Sequence, residues 1–295
     1  MLPRWALGNW WSQYWPYAQD ELISLMADLQ AFEIPLSIFV VDMDWHLVDL
    51  GEGSDGWTGY AWNHDLFPDP ESFFSWMHGP GLKITLYLHS ALGVRSHEEQ
   101  YAEFAKRLGV NPDTGQDIRF DIASVDFAMA YLELLYHPYE EQGVDFWWVD
   151  WQQGEKSHMQ DLDPLWILNH LRFHDLARND RTRPMILSRW GGLGSHRYPV
   201  GFSGDSHVTW ESLAFQPSVT ATAANVGYGC WSHDLGGHMR ERRISNFSHA
   251  GSNMVSLARF SEFIARIIPT LKDVPGLLTL KSLGLSEMLG REDMH

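Results

Sequence analysis

The chain has 295 residues, 44% of them hydrophobic, and its 38 Asp and Glu against 21 Lys and Arg give a net charge of −17. That length buries a core large enough for one barrel-sized domain, while so acidic a surface repels phosphate backbones and anionic lipid, excluding nucleic acid and membrane as partners. The single Cys230 excludes an intrachain disulfide framework, and no apolar run approaches the roughly 20 residues of a membrane span.

Met1 to Trp11 lacks the basic and then apolar regions of a secretory signal, so a cytoplasmic location is expected. Trp5 to Leu7 reads as a short first strand, followed by an aromatic loop from Asn9 to Tyr17. Asp20 and Glu21 open a helix whose Leu22, Leu25, Met26 and Leu29 share one face. A strand over Leu36 to Val41 leads into a Gly-rich loop from Gly51 to Gly59. Ser72 to His78 reads as helix, Leu82 to Leu88 as a strand ending in His89, and Glu98 to Leu108 and Asp126 to Tyr136 as helices. Further strands are expected at Val144 to Val149, Met185 to Leu187, Val200 to Ser203 and Val226 to Trp231. Strands alternating with helices predict a parallel α/β sheet, and about seven strand candidates in series fit most of a (β/α)8 TIM-type barrel, incomplete at its C-terminal end. An open doubly wound sheet is the alternative. It gathers its site at one switch point, whereas carboxylates end many of these strands.

Four apolar runs lead to Asp42, Asp150, Asp205 and Asp234, among a load of 15 Trp. The C-terminal rim of parallel strands is where barrel enzymes hold their chemistry, and aromatic faces beside carboxylates suit sugar rings. Retaining glycosidases use two carboxyl groups roughly 5–5.5 Å apart, one attacking the anomeric carbon and one protonating the leaving oxygen. Asp150 is the candidate nucleophile, with Trp148 on the same strand face as a pocket wall. The plainer reading of Asp150 is a cap of the next helix. Asp205 follows Gly204, which permits a sharp turn, and is the candidate acid; its plainer reading is a turn residue. Asp234, in the tight loop His233 to His238, suits hydrogen bonds from sugar hydroxyls. Arg189, closing the strand Met185 to Ser188, can hold a carboxylate or a hydroxyl by its planar fork. Asp42 and Asp44 point the same way, as does His46 if extension continues. His89 serves a core as readily as a ligand.

Trp190 to Gly194 has a phosphate loop's glycines without its Lys-Ser/Thr, so a flexible active-site loop is the better reading. No HExxH or paired Cys occurs, and His233 and His238 with Asp234 are a weak case for metal, so no metal is expected.

The motifs Trp148-x-Asp150, Arg189 with Gly204-Asp205, and Asp234-Leu235-Gly236-Gly237 resemble glycoside hydrolase family 31 over about residues 5 to 243. The resemblance implies a retaining α-glycosidase, α-glucosidase-like, acting through a covalent glycosyl-Asp intermediate on a small α-glycoside, with no cofactor. It implies Asp150 as nucleophile and Asp205 as acid/base, with Asp42, Trp148, Arg189 and Asp234 around the sugar. An α-xylosidase, an α-glucan lyase using the same site, and a carbohydrate-binding pseudoenzyme remain open. Departures from the family are Trp151-Gln152-Gln153 where many members carry Met-Asn-Glu, Phe202 for Trp, and His89 for Asp. The β-sandwich that precedes the barrel in the family, and the domains that follow it, do not appear in the sequence.

Residues 1–243 form the expected catalytic barrel, and 244–295 a tail unlike the family, without Trp or Tyr. The family's Arg-Trp-x-Gln, Phe-x-Pro and Arg-x-His element, whose His binds the same sugar, is absent there. Regrouping the codons possible for Asn246 to Ala265 from each third base can spell Leu-Phe-Ser-Arg-Trp-Val-Gln-Tyr-Gly-Val-Phe-Ser-Pro-Ile-Leu-Arg-Ile-His-Ser. That is the absent element in order, so the tail is expected to be an out-of-frame reading.

Overall fold

The computed structural model describes residues 2–51, 56–150, 157–179, 183–189, 192–198, 200–207 and 209–233. The chain divides into two compact units, Met1–Met26 with Pro35–Val200, and Ala27–Ile34 with Gly201–His295.

In the first unit, strands β1 (Trp10–Trp11), β2 (Ile38–Val41), β3 (Lys83–Leu88), β4 (Phe146–Val149) and β5 (Ile186–Ser188) pair in parallel and in chain order. Helices α2 (Pro70–His78), α3 (Tyr101–Arg107), α4 (Val125–Leu135), α5 (His137–Gln142) and α6 (Pro164–Asp175) fill the connections. This is the wiring of an α/β barrel. Every residue of β2 and β4 is buried, as parallel strands covered on both faces require. The register sets Leu88 opposite Val149 and Val149 opposite Ser188. His89, Asp150 and Arg189 each follow a paired residue and so leave the sheet at one rim.

The second unit pairs β6 (Gly201–Phe202) with β7 (Trp231–Ser232) in parallel, with helix α7 (Trp210–Asn225) between them in sequence. A Cβ on Gly201 would fall 2.3 Å from the Tyr228 ring, so glycine lets that buried phenol lie against the strand. Helix α1 (Gln19–Ala31) buries Leu22, Leu25, Met26 and Leu29, the face expected of it.

The expected first strand is a 3-10 helix, Arg4–Leu7. Ala6 donates to the Pro3 carbonyl and Gly8 to that of Trp5, each at 3.1 Å, and these bonds close turns that an extended chain cannot make. The strand lies instead at Trp10–Trp11, inside the expected aromatic loop. Val226 ends α7, donating to the Ala223 carbonyl at 3.2 Å, and the last described strand begins only at Trp231. No described helix is long and apolar enough to cross a membrane.

Candidate active site

Strand β4 ends in Asp150, 7% exposed, whose amide donates to the Leu88 carbonyl at 2.9 Å. Its Oδ1 accepts a hydrogen bond from Arg189 Nε, which sets a fixed positive charge against the carboxylate. Alternation along β4 sends its two tryptophans to opposite faces. Trp147 donates to Glu140 Oε1 at 2.9 Å on the outer side, whereas Trp148 meets Tyr87 edge-on with ring centroids 5.2 Å apart. Tyr87 on β3 lies opposite Trp148 in the register. Burial, then the charges of Asp150 and Asp42, push the Tyr87 phenol well up, and its hydroxyl is hydrogen-bonded to Asp150. Asp150, Arg189, Trp148 and Tyr87 thus form one cluster, and Asp42 is close enough to act on it. Tyr87 was not among the sequence candidates. Its signal was its place on the candidate strand that ends in His89.

Asp42 ends β2 and caps the 3-10 turn Met43–Trp45, its Oδ1 accepting from the Met43 amide at 2.7 Å. Extension stops there, so His46 does not point with Asp42 and Asp44 as expected. It is fully buried, and desolvation lowers its pKa to about 4. Asp42 and Asp44 line one cleft with Trp11, Trp15, Trp45 and Phe67. Asp44 is 8% exposed, and its Oδ2 has no hydrogen-bond partner among the described residues. Desolvation raises its pKa, so this carboxyl takes up a proton more readily than an exposed one.

Asp205, in the second unit, is exposed and follows Gly204, whose φ of +85° is the left-handed turn expected of it. His233 Nε2 lies 2.8 Å from Thr220 Oγ1, and burial lowers its pKa to about 4. Asp234 and His238 lie outside the described residues, as do Trp151 to Gln153 and Trp190 to Gly191.

Among the described residues, one trio of metal-capable side chains gathers, His137, Glu140 and Asp175. Arg172 bonds Glu140 Oε1 at 2.7 Å and Asp175 Oδ2 at 3.1 Å, and Arg178 bonds Glu140 Oε2 at 2.7 Å. Two guanidinium groups already neutralise these carboxylates, which makes the trio an ion-pair network unsuited to a cation.

The sequence pattern of the glycosyl hydrolases family 31 TIM-barrel domain matches residues 1–264. The chain belongs to glycoside hydrolase family 31. The match runs past residue 243, where the sequence reading ended its likeness to the family. An α-xylosidase of Saccharolobus solfataricus is 23% identical over 257 residues, covering 80% of this chain and 34% of the relative. An α-glucosidase of the same organism is 22% identical, covering 88% of this chain and 43% of the relative. The family 31 chain thus spans less than half the length of these curated relatives. In fold it is similar to a family 31 α-xylosidase from a soil metagenome complexed with xylose, with TM-score 0.66 and 19% identity over 85% of this chain and 40% of that one.

Proposed function

We propose that this family 31 chain is the catalytic barrel of a retaining α-glycosidase that removes a terminal xylose or glucose. The observation that carries the reading is Asp150, a buried carboxylate at the end of β4, held by Arg189 and walled by Trp148 and Tyr87. Asp150 attacks the anomeric carbon while Asp205 gives its proton to the leaving oxygen, and the glycosidic bond breaks as the glycosyl ester forms. Asp205 then takes a proton from water, which attacks the same carbon and frees Asp150, so two inversions retain the α configuration. Arg189 orients Asp150, and Asp42, Asp44 and Asp234 accept hydrogen bonds from sugar hydroxyls. Trp148 and, in the cleft at Asp42, Trp11 and Trp15 cover the apolar ring faces. No step needs a metal or an organic cofactor.

The test is turnover of 4-nitrophenyl α-D-xylopyranoside and α-D-glucopyranoside by the parent, Asp150→Ala and Asp205→Ala proteins. Removing the nucleophile should lower kcat by about 10³-fold or more. Azide should restore some Asp150→Ala turnover with an inverted product. Asp205→Ala should slow substrates with poor leaving groups by about 10²–10⁴-fold and spare acidic phenols in the first step. Normal hydrolysis by Asp150→Ala ends the assignment. An unsaturated sugar product would identify a lyase, and binding without turnover a pseudoenzyme.

A further inference from the structure

The loop over residues 56–62, between β2 and α2, carries Trp57 and Thr58 to the end of β3. Thr58 Oγ1 lies 3.2 Å from His89 Nδ1 and accepts the Leu92 amide at 3.2 Å, and the Trp57 ring centroid is 5.9 Å from the imidazole. His89 and Asp150 stand one residue beyond the paired Leu88 and Val149, so they are neighbours on the rim. The loop is tied down from below. Glu98, 4% exposed and just ahead of α3, accepts the Tyr60 amide at 2.9 Å and the Ala61 amide at 2.8 Å on the same oxygen, Oε2. Between Thr58 and Tyr60 the loop lies flat on buried His46, where a Cβ on Gly59 would fall 2.3 Å from the imidazole Nδ1. Tyr139 completes the hold by donating its hydroxyl to the Tyr60 carbonyl.

A carboxylate this buried is costly unless its bonds need it. Here those bonds go to the backbone of a distant loop. His97 Nε2, 3.3 Å from Oε1, is its one ion-pair partner among the described residues, and it is a neighbour in sequence. We propose that Glu98 is a positioning residue for the active site: by clamping Tyr60 and Ala61 it fixes Thr58, and Thr58 sets the His89 imidazole beside Asp150. The inference rests on the glycosidase reading, and His89 is the group through which it reaches the sugar.

The experiment compares Glu98→Ala, Glu98→Gln and Thr58→Val in the full chain. It measures hydrogen exchange across 56–62, the His89 imidazole resonance, and kinetics on the two 4-nitrophenyl α-glycosides. Loss of two backbone bonds in Glu98→Ala should speed exchange at Tyr60 and Ala61 by about tenfold or more. It should shift the His89 resonance and lower kcat/KM by about tenfold, mostly through KM. Glu98→Gln keeps an oxygen that can accept both amides, so exchange and kcat/KM should return to within about threefold of the parent. Thr58→Val should reproduce the KM defect and the His89 shift with exchange at Tyr60 and Ala61 unchanged. Parent-like exchange in Glu98→Ala, or fast exchange with parent-like kcat/KM, overturns the proposal. If Glu98→Ala does not fold, a parent-like KM and His89 resonance in Thr58→Val overturns it. A parent chain inert on both glycosides refutes the glycosidase reading instead, and the exchange and resonance data then judge the clamp.

Discussion

Asp44, Asp150 and Glu98 are all buried carboxyls, and their partners separate their uses. Asp150 faces a guanidinium, Glu98 faces two backbone amides, and one oxygen of Asp44 faces none among the described residues. Burial lifts the Glu98 carboxyl to about 7, against the pull of those amides and of Arg95, with Glu99 adding to the lift and His97 alongside. Burial drives His46 the other way, to about 4, with His89, His97 and Arg95 nearby. The two signs oppose each other. From pH 4.5 to about 7 the folded chain holds a Glu98 proton that the unfolded chain has lost, so Glu98's contribution to stability falls as pH rises. From 6.5 down to about 4 the unfolded chain takes up a His46 proton that the folded one refuses, so that contribution is lost as pH falls. Glu98→Gln should therefore gain in Tm relative to the parent as pH rises from 5 to 7, by several degrees; a relative loss over that window would contradict the assignment. Asp150 was legible in sequence because an apolar aromatic run ends in it. Glu98 was not, because its partners are amides of a loop 37 residues away, and amides leave no mark in a sequence.

Helix α6 shows why some elements escaped the pattern. Its start carries a plain signal, Asp163 accepting the Leu165 amide at 2.7 Å with Pro164 in the first turn. Its buried face, however, mixes Leu165 and Leu168 with Asn169 and Arg172, so an apolar count misses it. Arg172 is fully buried, 3.9 Å over the Tyr136 ring, and joins α6 to Glu140 on α5. Trp147 of β4 shares that carboxylate, so helix and sheet are registered through one guanidinium. Against their burial, Arg172 lowers the Glu140 pKa, and His137 and then Arg172 lower that of Asp175. Arg172→Leu should leave the largely buried Glu140 without its main partner and Asp175 without one of its partners, and lower stability by about 3–5 kcal/mol. Urea melts of parent and variant measure it, and a change within about 0.5 kcal/mol would show that the network is ornamental. Helix α7 escaped for a different reason: Pro217 lies inside it and none of its residues is buried.

For the whole molecule, the barrel wiring was legible because strand and helix periods alternate, and Asp150 and Arg189 each directly follow a paired strand. We propose that the chain leaves its reading frame after residue 243, within the 1–264 family match. A parallel barrel is stabilised by closing its sheet, which removes exposed strand edges. In the frame as given, Asn246 to Ala265 carries no Arg-x-His element; regrouped by one base it can spell that element in order. The 1–264 family match ends inside this stretch, so the proposed junction would lie within the matched domain. We expect the coding DNA to show the shift near residue 243. A protein made in the other frame should melt more cooperatively and turn over the α-glycosides far faster than the 295-residue chain. Barrel closure and the sugar-binding His would then return together. A well-supported reading frame across the junction, with cooperative melting and full activity in the chain as it stands, would show instead that this branch of family 31 closes its barrel and binds its sugar without the Arg-x-His element.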